Sequence, residues 1–432
     1  MRPLFVSLRC SGIRRVSRWI LALVLGCSVA APGRALAATR SVNFCFQYNV
    51  SYEDDPSVAF DDGFANGIVP ARAASASVTP PSYPPANPAF QGYLGSGDSD
   101  NCTGTLLLTI GETYTIKLKS AVQINGNTIL VYQEAGATTL WSHVAALVVT
   151  STTPGTITLT TPVDEGWNIA AIAGYALFRH DSGTTGNTYR FYSDGSCGSS
   201  DCCPGGTSCN SGGYIYIADG PSSVHYDNRY VILHEMGHRV AQFANGDAST
   251  NFDYDLATGP TDACPGGLGH NRGAWEWQSA AVNEGIAHFW ADVVLNDASG
   301  GDCAAYSHSP VDWDNDTFTD GQDYDCNGAP VGGLGLSVSN WLDDVCPTDA
   351  HLNSGNEYDW ERFWWDLVAD EGLSVGTIMD IWDGANPHDW YAAGVFTGPN
   401  YPAQRLKASA AAIGAACGTA YDTQDNYNGV AR

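Results

Sequence analysis

The feature that most constrains this chain is a change of hydrophobic period near Gly166. Before it, short runs rich in Val, Thr, Ile and Tyr recur between turn residues: SVNFCFQYNV, TLLLTIG, TYTIKLKSAVQI, TILVYQEA, AALVVTS and GTITLTT. Runs of this kind at close spacing predict a β-sandwich-like unit over residues 38–165. A Pro/Ala/Ser-rich stretch at 75–87 reads as a loop interrupting it. Beyond Gly166 the pattern turns helical: 168–180 with Asn168 as candidate N-cap, then 230–243, 279–294 and 360–369. Two strand-like runs, TYRFYS and GYIYIADG, stand among them. The fold class is therefore α+β, with a β-sandwich-like N-terminal domain followed by a second domain over 166–432.

The first 37 residues read as a leader. Six arginines and no acid accompany an apolar run over 19–31, and Ala35-Leu36-Ala37 forms a small-residue cleavage site. These are the marks of a secretory signal peptide. The run is shorter than the ~20 residues a membrane span needs. A lipid-modified Cys27 is the alternative reading. Export predicts a secreted, extracellular or periplasmic protein. Its 11 remaining cysteines are then disulfide formers first, with one thiol left over. The Cys/Gly/Ser-rich segment 197–209 reads as a stapled surface loop. Beyond the leader, 13 basic residues face 46 acidic ones, a net charge of −33. That balance excludes nucleic acid as a partner and favours calcium.

The chemistry concentrates in Val231-Ile232-Leu233-His234-Glu235-Met236-Gly237-His238. Histidines four apart lie one turn apart on one helix face, so His234 and His238 can hold one zinc ion. Glu235 lies beside the first ligand and can act as general base toward water at the metal's open position. A third ligand is needed. The pattern HExxHxxGxxH would require glycine at Ala241 and histidine at Ala244, and neither is present. A glutamate from a second helix fits the segment Ala281-Val282-Asn283-Glu284-Gly285-Ile286-Ala287-His288.

In these two segments the chain resembles the gluzincin metallopeptidases, which pair HExxH with a downstream helix bearing Asn-Glu. The resemblance rests on Asn283-Glu284-Gly285-Ile286-Ala287 together with the histidine motif. It implies a zincin-like catalytic domain, Glu284 as third zinc ligand, Glu235 as general base, and a peptide or protein substrate. His288 stands where the thermolysin branch has an aspartate. It can back a ligand, compete as one or merely face the helix. Asp292 is a further rival. The gluzincins also place a Tyr or His near the developing oxyanion. Tyr306, His308, His351, Tyr358 and His388 are candidates, with Tyr358 preferred.

A second metal site is predicted in the insertion 312–325. Asp312, Asp314, Asp316, Asp320 and Asp323, with the Phe318 carbonyl, fall at positions 1, 3, 5, 9, 12 and 7 of an EF-hand-like calcium loop. Two other readings stand beside a secreted zinc metallopeptidase. One is a non-catalytic, calcium-dependent binding or adhesion protein with a relic zinc site. The other is a zinc hydrolase of a non-peptide bond.

Overall fold

The computed structural model describes residues 37–52, 66–81, 87–96, 100–134, 136–180, 183–194, 208–220, 223–224, 228–250, 252, 276–295, 354–355, 357–390, 402–428 and 430. Strand β1, Thr39–Val50, shows how its sequence folds. Val42, Phe44, Phe46, Tyr48 and Val50 alternate with polar residues and all are buried, as a two-residue period demands. Strands β2 (Gly67–Pro70), β3 (Ala74–Thr79), β4 (Phe90–Tyr93), β5 (Cys102–Thr109), β6 (Thr113–Ile124), β7 (Asn127–Tyr132), β8 (Ser142–Val148) and β9 (Thr156–Thr160) follow. β1 pairs antiparallel with β2 and β5 and parallel with β9, forming a four-stranded sheet. A Cys45–Cys102 disulfide ties β1 to β5 across 57 residues of sequence. On a chain-entropy basis such a closure contributes about 4 kcal/mol. Cys417 is a free thiol, half-buried.

The second sheet crosses the expected boundary. Helix α1 (Glu165–Arg179) leads to β10 (Thr188–Asp194), β11 (Cys209–Ser211), β12 (Tyr214–Gly220) and β13 (Ser223–Val224). β10 pairs parallel with both β7 and β12, giving the order β11-β12-β10-β7-β6-β3-β4, with β8 on β6 and β13 on β12. Residues 39–432 accordingly form one compact unit, with no division at 165/166. The α+β class holds, with the large sheets in the N-terminal half.

Two local expectations are corrected. The stretch 75–79, read as loop, is strand β3, whose alternate residues Ala74, Ala76 and Val78 are buried. Asn168 does not cap α1. Asp164 does, accepting from the Glu165 amide, while buried Asn168 binds the backbone N–H and C=O of Ser51. A polar residue near a helix start serves either role, and tertiary contact decides between them.

The helical half packs mostly on itself, with its first helix against β11 and β12. Helices α2 (Arg229–Ala244), α3 (Gln278–Leu295), α4 (Glu357–Ala369), α5 (Val375–Gly384), α6 (Pro402–Ile413) and α7 (Ala415–Asn428) follow in chain order, and β14 (Glu276–Trp277) pairs with β15 (Ser354–Gly355). Asn228 caps α2 by accepting from the Val231 amide. Trp290, Trp360, Trp364, Trp365 and Trp382 are fully buried, so the aromatic run of α4 is core. Among the described residues no helix is long and apolar enough to cross a membrane.

Two glycines set the helix spacing. A Cβ on Gly237 of α2 would stand 2.7 Å from the Ala287 carbonyl oxygen of α3, and one on Gly285 of α3 would stand 2.5 Å from Trp360 Cβ of α4. Backbone lies in the way at both, so neither helix pair can approach this closely with a side chain there. Gly237→Ala is expected to destabilise the protein by about 1–3 kcal/mol through overpacking, whereas Gly92→Ala on β4, where a Cβ meets open space, costs far less. Urea-unfolding midpoints of the metal-free proteins check this, and equal midpoints would refute it.

His180 ties the end of α1 to α3 by a hydrogen bond between Nε2 and the Val293 carbonyl. Burial lowers its pKa to about 4, against the opposing pull of that carbonyl and with a smaller push from Arg179. The fold thus prefers the neutral ring, and the unfolded chain binds the proton more readily between pH 6.5 and 4. This contribution is complete above pH 6.5 and is lost as pH falls, by roughly 3 kcal/mol at most. In His180→Gln, stability of the metal-free protein should fall less steeply from pH 7 to 4 than in the parent. Parallel pH profiles would contradict the assignment.

Candidate metal centre

Two helices supply the donor atoms of the site. α2 supplies His234 and His238 from one face, with ring centroids 4.8 Å apart and nearly perpendicular planes. α3, held close by Gly237, supplies Glu284. Its Oε2 lies 3.3 Å from His234 Nε2 and 3.1 Å from His238 Nε2. All three donor atoms lie within 4.8 Å of one another. A tetrahedral metal with arms of about 2.1 Å separates its ligand atoms by about 3.4 Å. The two measured carboxylate–imidazole edges match that figure, so the group could hold a metal ion. Neither His288 nor Asp292 joins it.

The electrostatics agree. Glu284 is buried, and burial alone would raise its pKa. The adjacent imidazoles of His238 and His234 outweigh this and hold the carboxyl well below the usual range. The carboxylate therefore stays ionised inside the protein, as a metal ligand must. Asn283 assists: its amide nitrogen lies 3.4 Å from His238 Nδ1 and 3.4 Å from Glu284 Oε1.

His288 lies behind the site. Its ring packs on His234 with centroids 4.2 Å apart, its Nδ1 is 3.3 Å from the Tyr230 hydroxyl, and its Nε2 is 3.5 Å from Glu357. The Tyr230 hydroxyl donates onward to Glu361. His288 thus supports a ligand by ring contact and is not itself one.

Glu235 is 7% exposed and lines a cleft of about 690 Å³ together with both histidines and Glu284. Cys209 and Asn210 of β11 and the Gly212-Gly213 turn also line it. Among the described residues β11 ends this sheet, and the run GYIYIADG is β12, flanked on both sides. The edge residues Cys209, Asn210 and Ser211 have little β propensity, and pattern reading passes over them.

Tyr358 falls in the first turn of α4, and its side chain lies outside the described set. Tyr306, His308 and His351, and the predicted calcium ligands Asp312, Asp314, Asp316, Phe318, Asp320 and Asp323, also lie outside the described residues. His388 is exposed, with Nδ1 3.0 Å from the Ser249 carbonyl.

Glu284→Ala removes the anionic member of the triad. Metal retained after dialysis, read by atomic emission, should fall from about one ion per chain to a small fraction, as expected when one of three protein ligands is lost. Occupancy equal to that of the parent would displace Glu284 from the site. No protein-family model matches this chain, and no curated protein matches it in sequence.

Proposed function

We propose that this chain is a secreted zinc-dependent metallopeptidase of the gluzincin type. The observation that carries the reading is a carboxylate, Glu235, adjoining a three-donor His-His-Glu group inside an open cleft. A purely structural zinc is closed by four protein ligands, whereas three leave a position for reactant. Two imidazole nitrogens and one carboxylate oxygen suit zinc. When bound, the metal would supply Lewis acidity toward a carbonyl and lower the pKa of water.

The protein's own groups complete the chemistry. Glu284 and the histidines would hold the metal, with Asn283 beside His238 and the His288 ring against His234. Glu235, the neighbour of His234 along α2, takes a proton from the attacking water and returns it to the departing amine. Edge strand β11 favours a peptide over other acyl compounds. Among the described residues it is the last strand of the sheet and it lines the cleft, where an extended chain can run alongside it. The aspartate spacing of 312–323 supports calcium as a second, structural ion. The leader and the disulfide accord with export.

Glu235→Gln should retain zinc and lose peptide hydrolysis by at least 10²–10⁴-fold, the usual contribution of a positioned general base. Digestion of a mixed peptide library, with and without chelator, reads the activity. Full activity in the variant would remove Glu235 from its role. Zinc binding with no cleavage by the parent would turn the reading to a binding protein.

A further inference from the structure

Past His238 the cleft contains a buried cation that the hydrolytic chemistry does not use. Arg239 lies four residues after Glu235 on α2, so both side chains emerge on the same side of the helix. Its side chain is only 4% exposed, yet it lines the cleft. The guanidinium packs over the Phe243 ring at 3.9 Å, and its Nη2 lies beneath Gly213, 3.7 Å from where a Cβ would stand. Its ionic partner is Asp247, at 2.8 Å from Nη1, and that carboxylate is 59% exposed. Among the described lining residues Arg239 is the one Lys or Arg, and the neutral amides of Asn210 and Gln242, 3.5 Å apart, also line the cleft.

This pairing is lopsided. The cation has lost its water, while the anion has kept most of its own. Asp247 also sits at a positive φ of 67° in the turn that ends α2, a conformation unfavourable for a non-glycine residue. Its carboxylate occupies the place that a carboxylate from an incoming ligand would take, and solvent lies open behind it for retreat. A desolvated, planar guanidinium prefers such a partner, since it can form two parallel charge-assisted hydrogen bonds.

We infer that Arg239 selects substrates bearing an acidic side chain next to the bond to be cut, with Asp247 holding its place until such a residue displaces it. This names the substrate class of the cleft and rests on the peptidase reading above. The chain's net negative charge opposes an acidic ligand at long range. That repulsion is screened beyond about 8 Å at physiological salt, so the local contact with Arg239 decides.

The test separates binding from hydrolysis. Random peptide pools are equilibrated with zinc-loaded Glu235→Gln protein, which leaves them uncut, and retained peptides are sequenced. Asp and Glu should be enriched about tenfold at one position, the worth of one charge-assisted contact. Adding Arg239→Gln should abolish the enrichment, and adding Asp247→Asn should raise it several-fold by removing the competitor. Were Arg239 only a brace for the turn after α2, Asp247→Asn would leave retention unchanged or lower it. No retention, or retention without acidic preference, overturns the inference. Failure of the parent protein to cut any peptide, with acidic retention intact, would overturn the hydrolytic reading alone.

Discussion

A single carboxylate governs the middle of this protein. Glu284 is removed from water, and an ionised carboxylate in such a place is costly unless cations or donors surround it. Here two imidazoles on the neighbouring helix do so, at 3.1 and 3.3 Å. They reach it because α2 and α3 touch backbone to backbone at Gly237, and α4 closes on α3 at Gly285 in the same manner. These glycines are the third residue after His234 and the residue directly after Glu284. Helix spacing and ligand spacing are therefore one constraint. A side chain at either position would move the donor atoms apart before it touched the site.

Much of that centre was legible in the sequence, because it depends on periods shorter than a helix turn or two. The four-residue spacing of His234 and His238 forces convergence wherever the helix forms, and the capped α2 forms where the apolar pattern places it. Glu284 was legible through its Asn-Glu-Gly context, since no local rule links positions 238 and 284. What stayed hidden is non-local. Nothing in the runs of β7 and β10 says that they lie side by side, and their pairing joins two expected domains into one unit. Strand β11 is three residues long and owes its shape to β12, so a reader of propensities sees only a cysteine-rich loop. Arg239 was missed for a related reason: an arginine after a metal-binding histidine looks like an ordinary surface charge until the Gly212-Gly213 turn folds over it.

His288 shows how one helix position can meet a need in different ways. A metal-binding imidazole must be held at one ring angle, and a carboxylate partner is a common means. On α3 the residue one turn beyond Glu284 is a histidine, and it meets His234 by its ring at 4.2 Å. Charge is supplied a step further back, by Glu357 against His288 and by Glu361 against Tyr230. The acids thus stand one residue behind the ring that touches His234. Such a chain depends on tight packing, since a ring contact loses much of its attraction when a gap of 0.5–1 Å opens. The surrounding tryptophans supply that tightness. Trp290 borders Gly237 and Trp360 borders Gly285, so the residues that make the core dense also keep the ligand rings from turning.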